Sequence, residues 1–427
     1  MDIPRASAYH VFLRLSFFDL RVVNFVLGLV WLITFRYLQQ TTYYDPSSFF
    51  FRWDAAYQPL YSAVREQEAD AFLASSQLQK SRLLKESEKS LVHAAPYCIG
   101  IPTLQRERAQ FFAKTAASLV DTLTAEERDS IHIVVLLSDN DATANSAFGQ
   151  HWLHAIADTV VVHEDTPKDL VAENGYQTIP RHPEFAARDE RVRRDYSVLS
   201  EVCRQNDAEY FILVEDDVIA ARDWFQRLQD ATPQVNERAV AKHRDWLYLR
   251  LFYTETYMGW NSEEWPKYIR NILLMYAAVL GAMLTIRQVF HMAQPSAKER
   301  TSRFSKLLMA NILVVWMPLF IGLGFMAGRL TVSPLPFGVQ EMPRYGCCSQ
   351  SLVIPSRHLT TLEEKLKEAP YDLPADSTIE RIADSLELDK WALVPSAFQH
   401  IGARGSSARG GALKSTWNFS FERLYSA

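Results

Sequence analysis

The chain has 427 residues, 48% hydrophobic and 22% charged, which excludes a disordered protein and allows two domains or one large α/β domain with additions. A formal net charge of −5 and a pI near 6.2 argue against nucleic acid as a partner. The four cysteines (Cys98, Cys203, Cys347 and Cys348) are too few for a disulfide-built scaffold; with no Cys-x-x-Cys pair or His-rich run, no structural zinc site is expected. One or two bridges stay open for a domain in an oxidising lumen, in a pairing the sequence does not fix.

Arg5, Arg14 and Arg21 precede an apolar stretch from Val22 to Phe35 that extends through Leu38. Without a small-residue cleavage site it reads as a retained membrane anchor. Residues 1–38 are therefore assigned to a cytosolic tail and anchor, and 39–92, polar and rich in helix formers after Pro59, to a helical stem. Tyr97 to Pro102 reads as a strand closed by Pro102 and Thr103. Residues 107–122 follow as an amphipathic helix with Phe111, Phe112, Ala116, Leu119 and Val120 on its apolar side.

Ile131 to Leu137 is a fully apolar strand ending in Ser138-Asp139-Asn140-Asp141, and Thr159 to His163 is another. A helix over about 188–206 leads to Tyr210-Phe-Ile-Leu-Val214, a buried strand that runs straight into Glu215, Asp216 and Asp217. This alternation predicts an α/β fold with a mainly parallel sheet and flanking helices. Its strand ends bring together Thr103 and Arg106, Asp139 to Asp141, and the acidic triplet, at the edge where such sheets bind ligands. Taken singly, Asp139 and Asp141 read as turn caps and Arg106 as a surface residue. Three adjacent carboxylates call for a cation, and hard oxygen donors suit Mg²⁺ or Mn²⁺. No Walker loop, Gly-x-Ser-x-Gly elbow or strand-borne Gly-x-Gly-x-x-Gly is present in the soluble part, which argues against phosphate-loop ATPases, serine hydrolases and Rossmann dehydrogenases.

Two further apolar stretches, Ile272 to Ile286 and Leu307 to Ala327, predict spans. Between them lie Arg287, Lys298, Arg300, Arg303 and Lys306 against the single acid Glu299, so the linker is expected in the cytosol. Three spans then put 39–268 and 328–427 on the same, non-cytosolic side. The domain is read as 93–268 and 329–427, split by a transmembrane hairpin over 269–328. Gly322, Gly324 and Gly328 are expected to pack closely against the face carrying Gly281, and Pro318 to kink the third helix. Aromatic residues from Phe252 to Trp265 fit either sugar stacking or a membrane interface.

Ile99-Gly-Ile-Pro-Thr-Leu-Gln-Arg-Glu107, Asp195-Tyr196, Tyr210 to Ala220 and Phe398-Gln-His-Ile-Gly402 resemble lumenal GT-A glycosyltransferases of the N-acetylglucosaminyltransferase IV group. The split domain resembles the Golgi family that adds N-acetylgalactosamine to GPI-anchor glycans. The resemblance implies a GT-A glycosyltransferase domain, a UDP-GalNAc donor, a Mn²⁺ (or Mg²⁺) cofactor, inversion at the anomeric carbon, and a multi-pass Golgi membrane protein whose acceptor is the glycan of GPI-anchored proteins. It implies metal ligation by Asp217, Asp216, Glu215 and His400, and donor binding by Pro102, Thr103, Arg106, Asp139, Asp141, Arg194 and Asp195. Asp376 is the candidate catalytic base, with an N-cap role as its structural alternative and Glu380 and Glu255 as weaker candidates. Trp246 and Gln350 are candidate acceptor contacts, and Asn418-Phe-Ser420 is a glycosylation sequon. Ala408 stands where the related loop has Leu. Two other readings stay open: N-acetylglucosamine transfer to N-glycan mannose, and a catalytically silent membrane scaffold of the same fold.

Overall fold

A computed structural model describes residues 20–75, 95–107, 109–183, 186–293, 306–342, 348–370, 372–402 and 416–424. Arg5, Arg14, residues 76–92 of the expected stem, the linker charges from Lys298 to Arg303, Cys347 and Ala408 lie outside the described residues. The chain divides into two compact units, one running to Ala56 and resuming over Met258–Pro334, the other formed by Tyr57–Tyr257 and the chain from Leu335 onward.

The larger unit is built on the apolar runs read from the sequence. They form β1 (Tyr97–Thr103), β2 (Ile131–Leu137), β3 (Thr159–His163) and β5 (Tyr210–Val214), to which the structure adds β4 (Gln177–Ile179), β6 (Val218–Ala220) and β7 (Trp246–Arg250), none of them read as strands from the sequence. The second stretch of chain adds β8 (Gly338–Glu341), β9 (Ser351–Pro355), β10 (Asp389–Val394) and β11 (Phe398–His400). Nine strands make one sheet in the order β4-β3-β2-β1-β5-β9-β7-β10-β8, while β6 pairs with β11. Five neighbouring pairs of the large sheet are parallel. The other three are antiparallel and all involve β8 or β9, strands from the second stretch of chain. The sheet is thus mostly parallel, as the alternation of elements predicts.

Continuous apolar strands need cover on both faces. Ile133, Val135 and Leu137 of β2 enter one core, and the intervening Val134 and Leu136 enter the other. Helix Arg188–Gln205 covers the second face so closely that a Cβ on Gly100 would lie 3.0 Å from Leu199 Cβ, as well as 2.7 Å from the Phe211 ring of β5. The Cys98–Cys203 disulfide fixes the same contact across 105 residues of chain, a closure worth about 4–5 kcal/mol by chain entropy. Cys348 is also disulfide-bonded.

Residues 57–75 of the expected stem are part of this unit. Helix Tyr61–Leu73 buries Arg65 completely, and its guanidinium bonds to the Ala220 carbonyl at 2.9 Å and to Asp121 at 2.7 Å. Burying a charge is tolerable only with such full pairing. Helix formers alone do not reveal this, because a polar amphipathic helix reads alike whether it packs or stands free.

Among the described residues of the smaller unit, three helices are long and apolar enough to cross a membrane: Leu20–Thr41, Ser262–Val289 and Lys306–Ala327. Asn24 accepts from the Trp316 indole at 2.8 Å, Trp31 donates to the Leu319 carbonyl, and Tyr276 donates to that of Leu313. The expected glycine packing is not what joins these helices. A Cβ at Gly281, Gly322 or Gly324 would meet nothing within 4 Å, since indole and phenol side chains bridge the helices instead. Gly328 has φ +98° and lies against the Asp45 carboxylate, where any side chain would collide. A π-helical turn over Ile312–Trp316 precedes Pro318, the wide turn expected where a proline interrupts the i→i−4 ladder.

Candidate functional site

β5 ends at Val214, and the chain turns through Glu215, Asp216 and Asp217 into β6. β6 pairs antiparallel with β11, setting Val218 opposite His400. Beyond that pair, the Ile401 and Gly402 N–H groups donate to the Asp217 carbonyl at 2.8 and 3.2 Å. Glycine is required at 402, because a Cβ there would lie 2.2 Å from Asp217 Oδ2. Sequence-distant segments therefore meet at one carboxylate.

The three acids sit in different surroundings. Glu215 Oε1 accepts from Tyr196 Oη at 3.1 Å and from Ser349 Oγ at 2.8 Å. Asp216 accepts from Thr103 Oγ1 at 2.9 Å and from Arg106, while Thr115 Oγ1 bonds to the carbonyls of Asp216 and Val218. Asp217 Oδ2 takes Arg106 at 2.9 Å and lies 3.3 Å from His400 Nε2. His400 Nδ1 donates to the Thr416 carbonyl at 3.1 Å, which directs Nε2 at Asp217. Asp217 Oδ1 is buried without a hydrogen-bond partner.

Burial, reinforced by Asp217, pushes Glu215 up to about 7 and Asp216 up to about 6. Burial acts on Asp217 in the same sense, but His400 and Arg106 more than reverse it and hold Asp217 well below the carboxylate range. Burial lowers His400, and Asp217 overcomes it, so the imidazole is raised. The residues fit a divalent cation: oxygen donors predominate, an imidazole faces them, and one carboxylate oxygen is buried unsatisfied.

These shifts predict a pH dependence for the chelated protein. Between ordinary values of 4.5 and 3.8 and folded values of about 7 and about 6, Glu215 and Asp216 bind more protons folded than unfolded. Stability therefore falls as pH rises through that window. His400 adds the same sign, because its contribution is complete below 6.5 and is lost as pH rises through its folded value. The Asp217 contribution is lost only on acidification below 3.8, outside the window. The melting temperature of chelated protein is expected to be lower at about pH 7.5 than at about pH 5.5, with Mn²⁺ raising it more at the higher pH. Equal thermal scans at both pH values would contradict the assigned environments.

The acids line a cavity of about 820 Å³, within the range of small-molecule sites. Pro102, Thr103, Arg106, Asp195, Gln350, Asp376 and His400 share its wall with Glu215, Asp216 and Asp217. Asp376 lies in the first turn of helix Ala375–Ser385, half-buried, with Oδ1 accepting from the Ser377 N–H at 2.6 Å. Its rivals are occupied: Glu380 binds Tyr248, Arg250 and Lys390, and Glu255 is fully enclosed and takes the Ser420 N–H and hydroxyl. Gln350 Oε1 is buried without a hydrogen bond.

Other expected contacts are not in this wall. Asp139 accepts from the Gln105 N–H and from Asn145, and Asp141 caps the turn at 142–144, so both shape loops behind the cavity. Arg194 pairs with Glu190 one turn back at 2.8 Å, and the helix turns Arg188 and Arg191 to the cavity in its place. Trp246 is fully buried, stacked on Tyr210 and bonded to Asn236, which leaves no face for a sugar. Asn418 is also fully buried, its amide donating to the Tyr253 carbonyl and accepting from the Phe421 N–H, so the folded sequon has no room for a glycan. The sequence reading missed Tyr196 and Ser349 as Glu215 partners, although each adjoins a residue it had singled out.

A family model described as GPI-N-acetylgalactosamine transferase PGAP4 matches residues 97–399, more than two-thirds of the chain. The chain belongs to this family. Curated relatives of this PGAP4-family chain include a Gallus gallus alpha-1,6-mannosyl-glycoprotein 4-beta-N-acetylglucosaminyltransferase, 24% identical over 197 residues. Another is a Mus musculus alpha-1,3-mannosyl-glycoprotein 4-beta-N-acetylglucosaminyltransferase C, 22% identical over 214 residues. These matches cover 44% and 48% of the PGAP4-family chain and 40% of each relative.

Proposed function

We propose that the protein is a metal-dependent inverting glycosyltransferase with a GT-A fold that moves N-acetylgalactosamine from UDP-GalNAc to a mannose of GPI-anchor glycans. The observation that carries this reading is the convergence of Glu215, Asp216, Asp217, His400 and Asp376 on one cavity in a chain of this family. Asp217 is assigned as the primary metal ligand, with Asp216, Glu215 and His400 completing the set. The cation supplies charge neutralisation for a diphosphate leaving group. Arg106, Arg188 and Arg191 add positive charge along the same wall. Asp376 accepts the proton of the acceptor hydroxyl as its oxygen bonds to the anomeric carbon and the electron pair of the breaking C–O bond departs with UDP.

The three candidate spans and the two-part unit support a catalytic domain divided at residues 269–328 by a transmembrane hairpin. The Cys98–Cys203 disulfide supports placing that domain in the Golgi lumen. The names of the relatives favour a second reading, N-acetylglucosamine transfer to N-glycan mannose. Mass spectrometry of products made by the purified full-length protein separates the two. UDP-GalNAc with a GPI glycan and Mn²⁺ is expected to give a product one N-acetylhexosamine heavier, and exclusive use of UDP-GlcNAc on N-glycans would replace the first reading with the second. No transfer with any pair would leave the scaffold.

A further inference from the structure

Apart from the acidic triplet, the wall of the same unit contains a second group of convergent donor atoms. His163 ends β3, His182 lies just beyond β4, and Asp195 is on helix Arg188–Gln205. They are 1%, 8% and 6% exposed. One donor atom from each lies within 4.8 Å of the others. His163 Nε2, His182 Nε2 and Asp195 Oδ1 are all buried without a hydrogen bond; the last two approach to 2.9 Å but are not aligned for one. His163 Nε2 has no partner, and His182 Nε2 and Asp195 Oδ1 have only their 2.9 Å contact, so the cluster is costly to bury unless something charged lies between its atoms.

The imidazole of His163 identifies what that is. Its Nδ1 donates to the Pro180 carbonyl at 3.1 Å, which fixes the tautomer and leaves the Nε2 lone pair pointing into the cluster. A backbone carbonyl on the far nitrogen is the usual outer support of a metal-bound histidine.

We propose that His163 Nε2, His182 Nε2 and Asp195 Oδ1 bind a zinc ion. Two imidazoles and one carboxylate form a borderline donor set, distinct from the oxygen-rich triplet, and three protein ligands leave a fourth position for water or a ligand. His182 and Asp195 also line the large cavity. The zinc therefore fixes the rotamer of a carboxylate in the binding wall and ties the ends of β3 and β4 to the helix that carries it. No local pattern announces this site, since its ligands stand 19 and 13 residues apart on a strand, a loop and a helix.

The test uses full-length protein purified in detergent without chelators or a histidine tag. Elemental analysis is expected to find about one zinc per chain. After stripping, Co²⁺ is expected to restore occupancy and give a visible absorption band. His163→Ala should weaken Co²⁺ binding by at least about 100-fold, above the loss for a missing outer-shell partner. Its Mn²⁺-dependent thermal shift, which reports the acidic triplet, should persist, separating failure of this site from failure of the transferase reading. A wild-type protein that retains no zinc and shows no Co²⁺ band overturns the proposal, leaving only the direct contact of His182 with Asp195. An unchanged band in His163→Ala overturns it equally. If that variant does not accumulate, His182→Asn serves in its place, and the wild-type measurement decides alone if neither does.

Discussion

Asp217→Asn is expected to slow sugar transfer by about 10²–10³-fold, the loss that follows removal of one preorganised charge at a reacting centre. The fold should survive. The substitution removes the partner of Arg106 and His400, and breaking a buried pair alone would cost about 3–5 kcal/mol. Asp216 still holds Arg106, however, and the lost charge is one that pushes Glu215 and Asp216 up. The backbone contacts of Ile401 and Gly402 to residue 217 do not involve its side chain. The distinguishing measurements are turnover and a thermal scan with and without Mn²⁺. Loss of turnover and of the Mn²⁺ shift in a protein that still melts cooperatively supports ligation; unchanged turnover would refute it.

Asp376→Asn should lower kcat by about 10²–10⁴-fold, the usual share of a positioned general base. An asparagine can still accept from the Ser377 N–H, so the first turn of helix Ala375–Ser385 keeps its hydrogen bond. A purely structural Asp376 would instead show an effect on stability of about 1 kcal/mol or less and a normal kcat. Glu380→Gln is the contrast: its partners Tyr248, Arg250 and Lys390 would be left with a neutral acceptor, and stability should fall more than in Asp376→Asn. A full-rate Asp376→Asn enzyme would exclude it as the base.

Strands β1, β2, β3 and β5 and the acidic triplet were legible in the sequence because those strands are mostly apolar runs whose polar endings mark one edge of the sheet. Strands β4, β6, β7 and β8 to β11 are short or mix polar with apolar residues and give no such signal. What failed was side-chain direction and partnership. Trp246 sits in an aromatic strand that reads equally as sugar platform or core, and only the cover over both sheet faces makes it core. Arg194 is the residue the resemblance implies, yet three residues on a helix span most of a turn, so Arg191 lines the cavity and Arg194 meets Glu190 instead. A sequon contains no information about burial, so Asn418 could not be judged from its triplet. Glycine spacing within one helix does not say what its neighbour presents, which is why Gly281, Gly322 and Gly324 were misjudged. The His163, His182 and Asp195 cluster depends on parallel pairing of β3 with β4, a long-range fact no local pattern expresses.

The strand order bears on when the enzyme can exist. β9 lies between β5 and β7, and β10 flanks β7 on its other side, although both arrive from beyond residue 334. On a growing chain, β5 and β7 each wait with bare backbone edges until the last hundred residues emerge. Such edges are templates for wrong pairing. His400 comes later still, so ligand set and sheet are finished by almost the same stretch of synthesis. A prematurely terminated chain would thus lack both a closed sheet and the contact of Asp217 with His400, so the order of synthesis keeps any truncated product from carrying the assembled acid–imidazole cluster.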